Sequence, residues 1–386
     1  MKRASNMIFA LVTAVALLAG CEGSAGSQIH TDQMIAIGAN LELSGTAGDS
    51  GSAVQQGIQL ALDQVNEAGG LHGRQLELVA LNNQTDPARA VTLATTLSTQ
   101  HKAVAVIGPT QAWIFNAAAS VTNVQQIPNI APLATSGSAL QSPSGALFQY
   151  AYRSCLGDPG QGAGLATFAA KKLAARNALV IRDEAAVWTN EIADGFATAF
   201  ASGGGTVVDD LAYQPGAEAG PLVDAAQSKS FDVIMLAGYV NEAAPIVKAL
   251  RDRGINAPIL GTDSFGLPRL SEVAGLQSAI YYPTQYSDQD SANPRVASFA
   301  ENFRAAYGQE PNAAAALGYD SMMLVADAIA RSETVSGVAV AASLAATNRF
   351  EGVTGMYSFN NRHEPVKPLL VIELTDGQPS MLHRSE

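Results

Sequence analysis

The residue best placed for covalent chemistry is Cys21, which ends the run Leu18-Ala19-Gly20-Cys21. Lys2 and Arg3 give a positive start. Met7 to Leu18 then form an apolar core too short for a membrane span, which takes about 20 residues. The small Ala19 and Gly20 open the backbone to a peptidase and leave the Cys21 thiol as the natural site for a lipid. Other bond-making signatures are missing. A nucleophile elbow needs Gly-x-Ser-x-Gly, and Ser50 lacks the second glycine at that spacing. His363-Glu364 lacks the second histidine of a zinc protease, and no phosphate loop ending in Gly-Lys-Ser/Thr occurs. His30, His72, His101, His363 and His383 are scattered without metal-ligand spacing, so no metal and no cofactor is expected. Gly160-Gln161-Gly162-Ala163-Gly164 has the wrong spacing for a dinucleotide loop. It follows Asp158-Pro159, which reads as a helix start. The pair Asp209-Asp210 reads as solvated turn residues. The chain is therefore not expected to be an enzyme.

Polar groups suited to non-covalent capture collect in loops that follow short apolar runs. These loops are Gly108 to Trp113, Pro132 to Ser136, Trp188-Thr189-Asn190, Gly238-Tyr239 and Gly261-Thr262-Asp263. The sequence has only two tryptophans, and both fall in such loops, which points to a cleft lining more than to core filling. Each residue has a plainer alternative. Thr135 reads equally as a helix N-cap. Asp263 has the same alternative, against which stands the poor helix sequence of Ser264 to Pro268. Trp113, Trp188 and Tyr239 would alternatively pack under their own loops.

Alternating strands and helices must position these loops. Ile35–Ala39, Leu76–Leu81, Val104–Ile107 and Ile127–Ala131 read as strands. Between them lie helices over Gly51–Ala68, from Asp86-Pro87 onward, and up to about Val124. After Arg153 the alternation resumes with strands at Ala178–Ile181, Thr206–Leu211, Val233–Leu236, Pro258–Leu260 and Ala279–Tyr282. Helices are expected over Glu191–Ala201, Ala219–Ser228, Pro294–Tyr307 and Ala313–Arg331, and tail strands near Met356–Phe359 and Leu369–Leu374. This pattern predicts an α/β fold of two doubly wound parallel-sheet lobes. Ligands in such sheets bind beyond the carboxyl ends of the strands, so facing lobes would enclose a cleft between them.

Composition narrows the function classes. Hydrophobic residues make up 47% and charged residues 15%, which fits a globular chain and not a disordered one. Cleavage before Cys21 leaves 366 of the 386 residues, about right for two domains. The net charge of −12 becomes about −14 once Lys2 and Arg3 are lost. That balance argues against a nucleic-acid partner and against electrostatic docking on anionic lipid. Cys155 is then the only cysteine besides Cys21, so no internal disulfide forms, and it reads as a small buried residue or a free thiol. Glu22 to Gln33 is a polar tether that would reach roughly 20 Å as a flexible coil.

Two resemblances add to this reading. Leu18-Ala19-Gly20-Cys21 resembles the lipobox of bacterial lipoproteins, which implies an exported protein held on the membrane by lipid on Cys21. From about Ile35 to Leu374 the chain resembles type I periplasmic solute-binding proteins, in particular the leucine/isoleucine/valine-binding family. The matching pieces are Leu43-Ser44-Gly45, Asn66-Glu67-Ala68-Gly69-Gly70-Leu71-His72-Gly73, Asp86-Pro87, Ile107-Gly108 with Pro132, Tyr286 to Asn293, Gly318-Tyr319-Asp320 and Gly355 to Phe359. The resemblance implies two lobes joined by three crossovers, near Arg153–Asp158, Tyr282–Ser287 and Met356–Asn360. Residues 1–20 would be a signal peptide and 21–33 a tether. Residues 34–153 with 286–355 would form lobe 1, and 156–283 with 357–386 lobe 2. It also implies a small polar ligand, held at Leu133, Ala134 and Thr135 by backbone groups and a hydroxyl. Asp263 would face the ligand's ammonium where the branched-chain binders have glutamate. Trp188 stands where tyrosine is usual, and Tyr239 matches. Ala112, beside Trp113, replaces the first loop's hydroxyl residue, and the family's disulfide pair falls on Thr85 and Gln111. The expected role is capture of an amino acid by a monomer that delivers it to an ABC importer permease. An amide, urea or a small aromatic acid remains an alternative ligand, and sensing for a receptor an alternative role.

Overall fold

A computed structural model of the chain describes residues 34–266, 279–375 and 377–385. Cys21, the signal segment and the tether lie outside the described residues. The first lobe holds β1 (Ile35–Leu41), β2 (Leu76–Asn82), β3 (Ala105–Ile107), β4 (Asn129–Ala131) and β5 (Ala151–Arg153). They form one parallel sheet in the order β2-β1-β3-β4-β5. Helices α1 (Gly48–Glu67), α2 (Pro87–Thr99) and α3 (Ala112–Val124) connect these strands. Asp86 caps α2 by accepting from the Arg89 amide at 2.9 Å, with Pro87 at the first helical position, as the sequence predicts. The core gathers Ile37, Val54, Ile58 and Ile107 against Val325 and Ile329 of a later helix.

The second lobe repeats the same winding. It holds β6 (Asn177–Asp183), β7 (Thr206–Tyr213), β8 (Val233–Ala237), β9 (Ile259–Leu260) and β10 (Ile280–Thr284). These run β7-β6-β8-β9-β10, the first lobe's order again. In both sheets the order reverses beside the first strand, so the strand ends open a crevice there. Helices α4 (Asp158–Lys172), α5 (Val187–Ser202), α6 (Gly220–Gln227) and α7 (Val240–Asp252) cover this sheet. Phe168, Phe196 and Phe200 pack on one face, and Val223, Val247 and Leu250 on the other. Helices α4 and α5 cross almost backbone to backbone. A Cβ on Gly162 would sit 2.1 Å from the Ile192 carbonyl oxygen, and one on Gly195 would sit 2.4 Å from that of Pro159. Two glycines thus bring the N-terminal halves of α4 and α5 into close contact.

The chain leaves the first lobe after Arg153 and returns after Thr284. It then adds α8 (Pro294–Tyr307), α9 (Ala313–Arg331) and α10 (Gly337–Ala345) to the first lobe. Strands β11 (Phe350–Gly352), β12 (Gly355–Phe359) and β13 (Pro365–Val366) form a small antiparallel sheet. The last strands, β14 (Leu370–Thr375) and β15 (Gln378–Arg384), join the second sheet antiparallel to β10.

Beside its parallel strands the second sheet takes two antiparallel tail strands: β14 pairs with β10 after the chain's passage through the first lobe, and β15 folds back on β14. Three expectations need correction. The third crossover is not at Met356–Asn360: Tyr357 is buried in the first-lobe core, β12 pairs with β13, and the second sheet is joined only at Leu370. Asp209 and Asp210 are not turn residues. They lie in β7, an edge strand, where Asp209 pairs with Lys229 at 2.9 Å and Asp210 pairs with Arg182. Helix α5 starts at Val187, so Trp188 belongs to its first turn and not to a loop.

Candidate functional site

A cleft of about 440 Å³ opens between the two lobes, at the carboxyl ends of β3 and β4 on one side and of β6, β8 and β9 on the other. The first wall begins after β3. The buried carboxylate of Glu42 accepts from the Thr110 amide at 2.9 Å and from the Gln111 amide at 3.4 Å, which fixes the loop ahead of α3. Ala112 and Trp113, in the first turn of α3, then line the cleft.

The loop after β4 supplies Leu133, Thr135, Ser136 and Ser138. Its shape is set from behind by Arg153, a guanidinium with no solvent exposure. Nη1 donates to the carbonyls of Ala134 and Ser136, each at 3.2 Å, and to that of Thr135, while Nη2 pairs with Glu364 at 2.7 Å. With these carbonyls held on the far side, the Thr135 side chain faces the cleft. Ala134 is buried behind the loop and does not line the cleft, because Arg153 draws its carbonyl away from it.

The second lobe supplies Asp158 from the start of α4 and Val187 and Trp188 from the start of α5. Tyr239 comes from the cap of α7, and Asp263 and Ser264 follow β9. Trp188 and Tyr239 meet edge to face, with ring centroids 4.8 Å apart and planes at 66°. Asp263 opens a single 3-10 turn, Asp263–Gly266. The Thr262 hydroxyl ties this loop to the Gly238 carbonyl at 3.0 Å, so the Tyr239 and Asp263 loops are one unit.

The electrostatics are one-sided. Asp158 and Asp263 line the same cleft, and among the described residues no lysine, arginine or histidine lines it. Burial first, then the facing charge of Asp263, push the Asp158 carboxyl up to about 8, against a lowering hydrogen bond from the Thr135 side chain. Asp263 is open to the cleft but crowded by protein on its other sides, and that desolvation raises its carboxyl as well. Several lining groups make no hydrogen bond within the protein: Asp158 Oδ2, Thr110 Oγ1 and Trp188 Nε1. One bond crosses the mouth. The Gly137 amide of the first lobe donates to Glu191 Oε2 of α5 at 2.9 Å.

The structure thus brings Ala112, Trp113, Leu133, Thr135, Trp188, Tyr239 and Asp263 around one cavity and leaves Ala134 behind it. Sequence reasoning missed Asp158, Glu191 and Glu42. Asp158-Pro159 showed only a helix start, and Glu191 and Glu42 acquire their roles from partners far away in sequence. Asp320 in α9, fully buried, belongs to a separate network below the third crossover. Cys155 is buried, and burial pushes its thiol up to about 11. Among the described residues no group of three His, Cys, Asp or Glu side chains is placed to hold a metal ion.

Comparison with known proteins agrees with this architecture. An amino acid binding protein of Pseudomonas aeruginosa is 26% identical over 312 residues, 78% of this chain and 80% of its own length. The leucine-specific-binding protein of Salmonella typhimurium is 24% identical, covering 77% of each chain. The branched-chain amino acid transporter substrate binding protein LivJ of Streptococcus pneumoniae, solved with isoleucine, is 32% identical. It superimposes with a TM-score of 0.72 over 90% of this chain and 99% of that one. The sequence model of the periplasmic binding protein family matches residues 34–379. Two lobes of the same winding order, a polar cleft at their strand ends and a match over nearly the whole described chain lead to one conclusion: the protein belongs to the periplasmic binding protein family.

Proposed function

We propose that this protein captures an amino acid outside the cytoplasm by closing its two lobes and delivers it to an ABC importer. The single observation that carries the reading is the split of complementary groups across the cleft. Thr135, Ser136 and neighbouring backbone groups stand on the first lobe, and Asp158 and Asp263 on the second. A zwitterion needs donors for its carboxylate and an acid for its ammonium at a fixed separation. A ligand touching both sets binds the closed state better than the open one, and this differential affinity drives closure. The names of the relatives support the same reading: the P. aeruginosa protein is an amino acid binding protein, and the S. pneumoniae structure holds isoleucine.

In this proposal the importer recognises the closed form, and the moving bodies are residues 34–153 with the segment from 286 to β13, and residues 156–283 with the tail from β14. The protein acts as a monomer held at the membrane by lipid on Cys21. Cys21→Ala should abolish acyl labelling and leave the precursor uncut. Normal acylation of that variant would refute the anchor. Ligand capture is tested by a thermal-shift screen of amino acids and amides on the purified protein. Ligand at 100 times its dissociation constant adds about 2.7 kcal/mol of stability. A screen in which amides stabilise and amino acids do not would replace the reading.

A further inference from the structure

We infer that the ligand carries an aromatic side chain, clasped between Trp113 of the first lobe and the Trp188–Tyr239 pair of the second. This rests on the amino-acid capture proposed above and names the class of amino acid.

The cleft has two chambers that share Leu133, Thr135, Asp263 and Ser264. The head-group contacts therefore sit at the junction, and a side chain has two directions to take. The inner chamber, about 350 Å³, is otherwise lined by Leu317, Cys155 and small or polar groups such as Ser50, Thr284, Gln285 and Ala313. It holds no aromatic ring. The outer chamber, about 440 Å³, holds all three rings.

Two of those rings are uncovered, while Trp188 is half-buried against the second-lobe core. Trp113 is 57% exposed and Tyr239 53%, and beside them Val187 is 64% exposed. Three exposed large apolar side chains, Trp113, Val187 and Tyr239, thus line one chamber, and exposed apolar surface gathered in one place marks a binding region. The rings also come from opposite lobes, so closure brings them toward each other across the ligand. The Trp188–Tyr239 contact already fixes one wall at the edge-to-face geometry that aromatic rings prefer. An aliphatic side chain would meet these walls through area alone. An aryl ring adds a ring–ring contact on each lobe.

Both tryptophans of the chain stand in this chamber, so intrinsic fluorescence reports its occupancy directly. The test is titration of the purified protein with L-phenylalanine, L-tryptophan, L-leucine and L-lysine, by calorimetry and by tryptophan emission. Phenylalanine or tryptophan should bind about tenfold tighter than leucine or lysine. Trp113→Ala should weaken phenylalanine binding about threefold to tenfold and leave leucine within about twofold, while Trp113→Phe keeps most of the affinity. Leucine or lysine binding as tightly as the aromatic amino acids overturns the inference and leaves amino-acid capture intact. Equal phenylalanine affinity in Trp113→Ala and the parent does the same. Binding of no amino acid is a different result, which sinks the proposed function and this inference with it.

Discussion

Asp320 and Asp158 are both acids almost sealed from solvent, at 0% and 2% exposure, yet their surroundings treat them in opposite ways. Asp320 accepts from the Val353 amide at 2.7 Å, the Thr354 amide at 2.8 Å, the Thr354 hydroxyl at 2.7 Å and the Tyr357 hydroxyl at 3.0 Å. The Lys367 ammonium closes the network, donating to Thr354 Oγ1 at 2.8 Å and Tyr357 OH at 3.0 Å and lying over the Tyr357 ring. Burial lowers Lys367 to about 7, with Asp320 and Cys155 pulling it back up. Asp158 has no such shell. Its Oδ2 makes no hydrogen bond within the protein, and the charge that acts on it most is another acid, Asp263. A buried acid with every oxygen engaged holds the fold together. A buried acid left short of partners beside a cleft costs stability and is explained by a ligand that completes it.

That contrast can be broken experimentally, and the largest effect is expected at the satisfied acid. Asp320→Ala leaves the Thr354 and Tyr357 hydroxyls and two amides without their acceptor, removes a charge that favours the Lys367 ammonium, and should destabilise the fold by about 3–5 kcal/mol in urea denaturation. The affinity of the protein that still folds should stay within about threefold, because the network lies apart from the cleft lining. A large affinity loss with unchanged stability would reverse the roles of the two regions.

Asp263→Ala should do the converse. Removing the counter-charge of a bound ammonium typically costs about 2–5 kcal/mol of affinity. The melting temperature without ligand should barely move. If Asp263 served only as a helix cap, stability would fall by about 1 kcal/mol and affinity would hold.

Asp158→Asn sharpens the comparison through pH. The raised carboxyl binds a proton in the folded state that the unfolded chain has already lost between about 4 and 8. Stability without ligand should therefore fall as pH rises through that window. The asparagine variant should flatten the fall and gain about 1–3 kcal/mol at pH 8. Affinity for an ammonium ligand should rise over the same window in the parent, because the cation favours the ionised acid, and the variant should lose this rise. Parallel pH–stability curves for the two proteins would contradict the assignment.

The smallest effect is expected at the mouth. Glu191→Gln weakens the bond to the Gly137 amide and should shift the open–closed balance by about 0.5–1.5 kcal/mol. Its readout is a larger radius of gyration in solution scattering at subsaturating ligand. No change there would reduce the bond to an incidental contact.

Much of this was legible in the sequence because periodicity and position carry it. Apolar runs alternating with amphipathic stretches marked both sheets, and the residues just past a strand include the cleft-lining Thr135, Tyr239 and Asp263. What stayed hidden depends on pairings that a linear pattern does not display. Asp158 looked like a helix start because its second role appears only when Asp263 faces it. Asp209 and Asp210 looked like a turn because an edge strand is free to carry charge on its open side. Glu191 opens an expected helix and gains meaning only from the Gly137 amide across the cleft. The third crossover was misplaced because β12 and β13 pair with each other before the chain reaches the second sheet.

The most direct test pairs one chemical change in the ligand with one in the protein. The amino acid that stabilises the protein most is titrated calorimetrically beside its 2-hydroxy analogue, which lacks only the ammonium, against the parent and Asp263→Ala. Capture across the cleft predicts that the parent binds the hydroxy acid about 30-fold to several thousand-fold more weakly and that Asp263→Ala nearly erases the difference. Equal affinity of the parent for both molecules would contradict it.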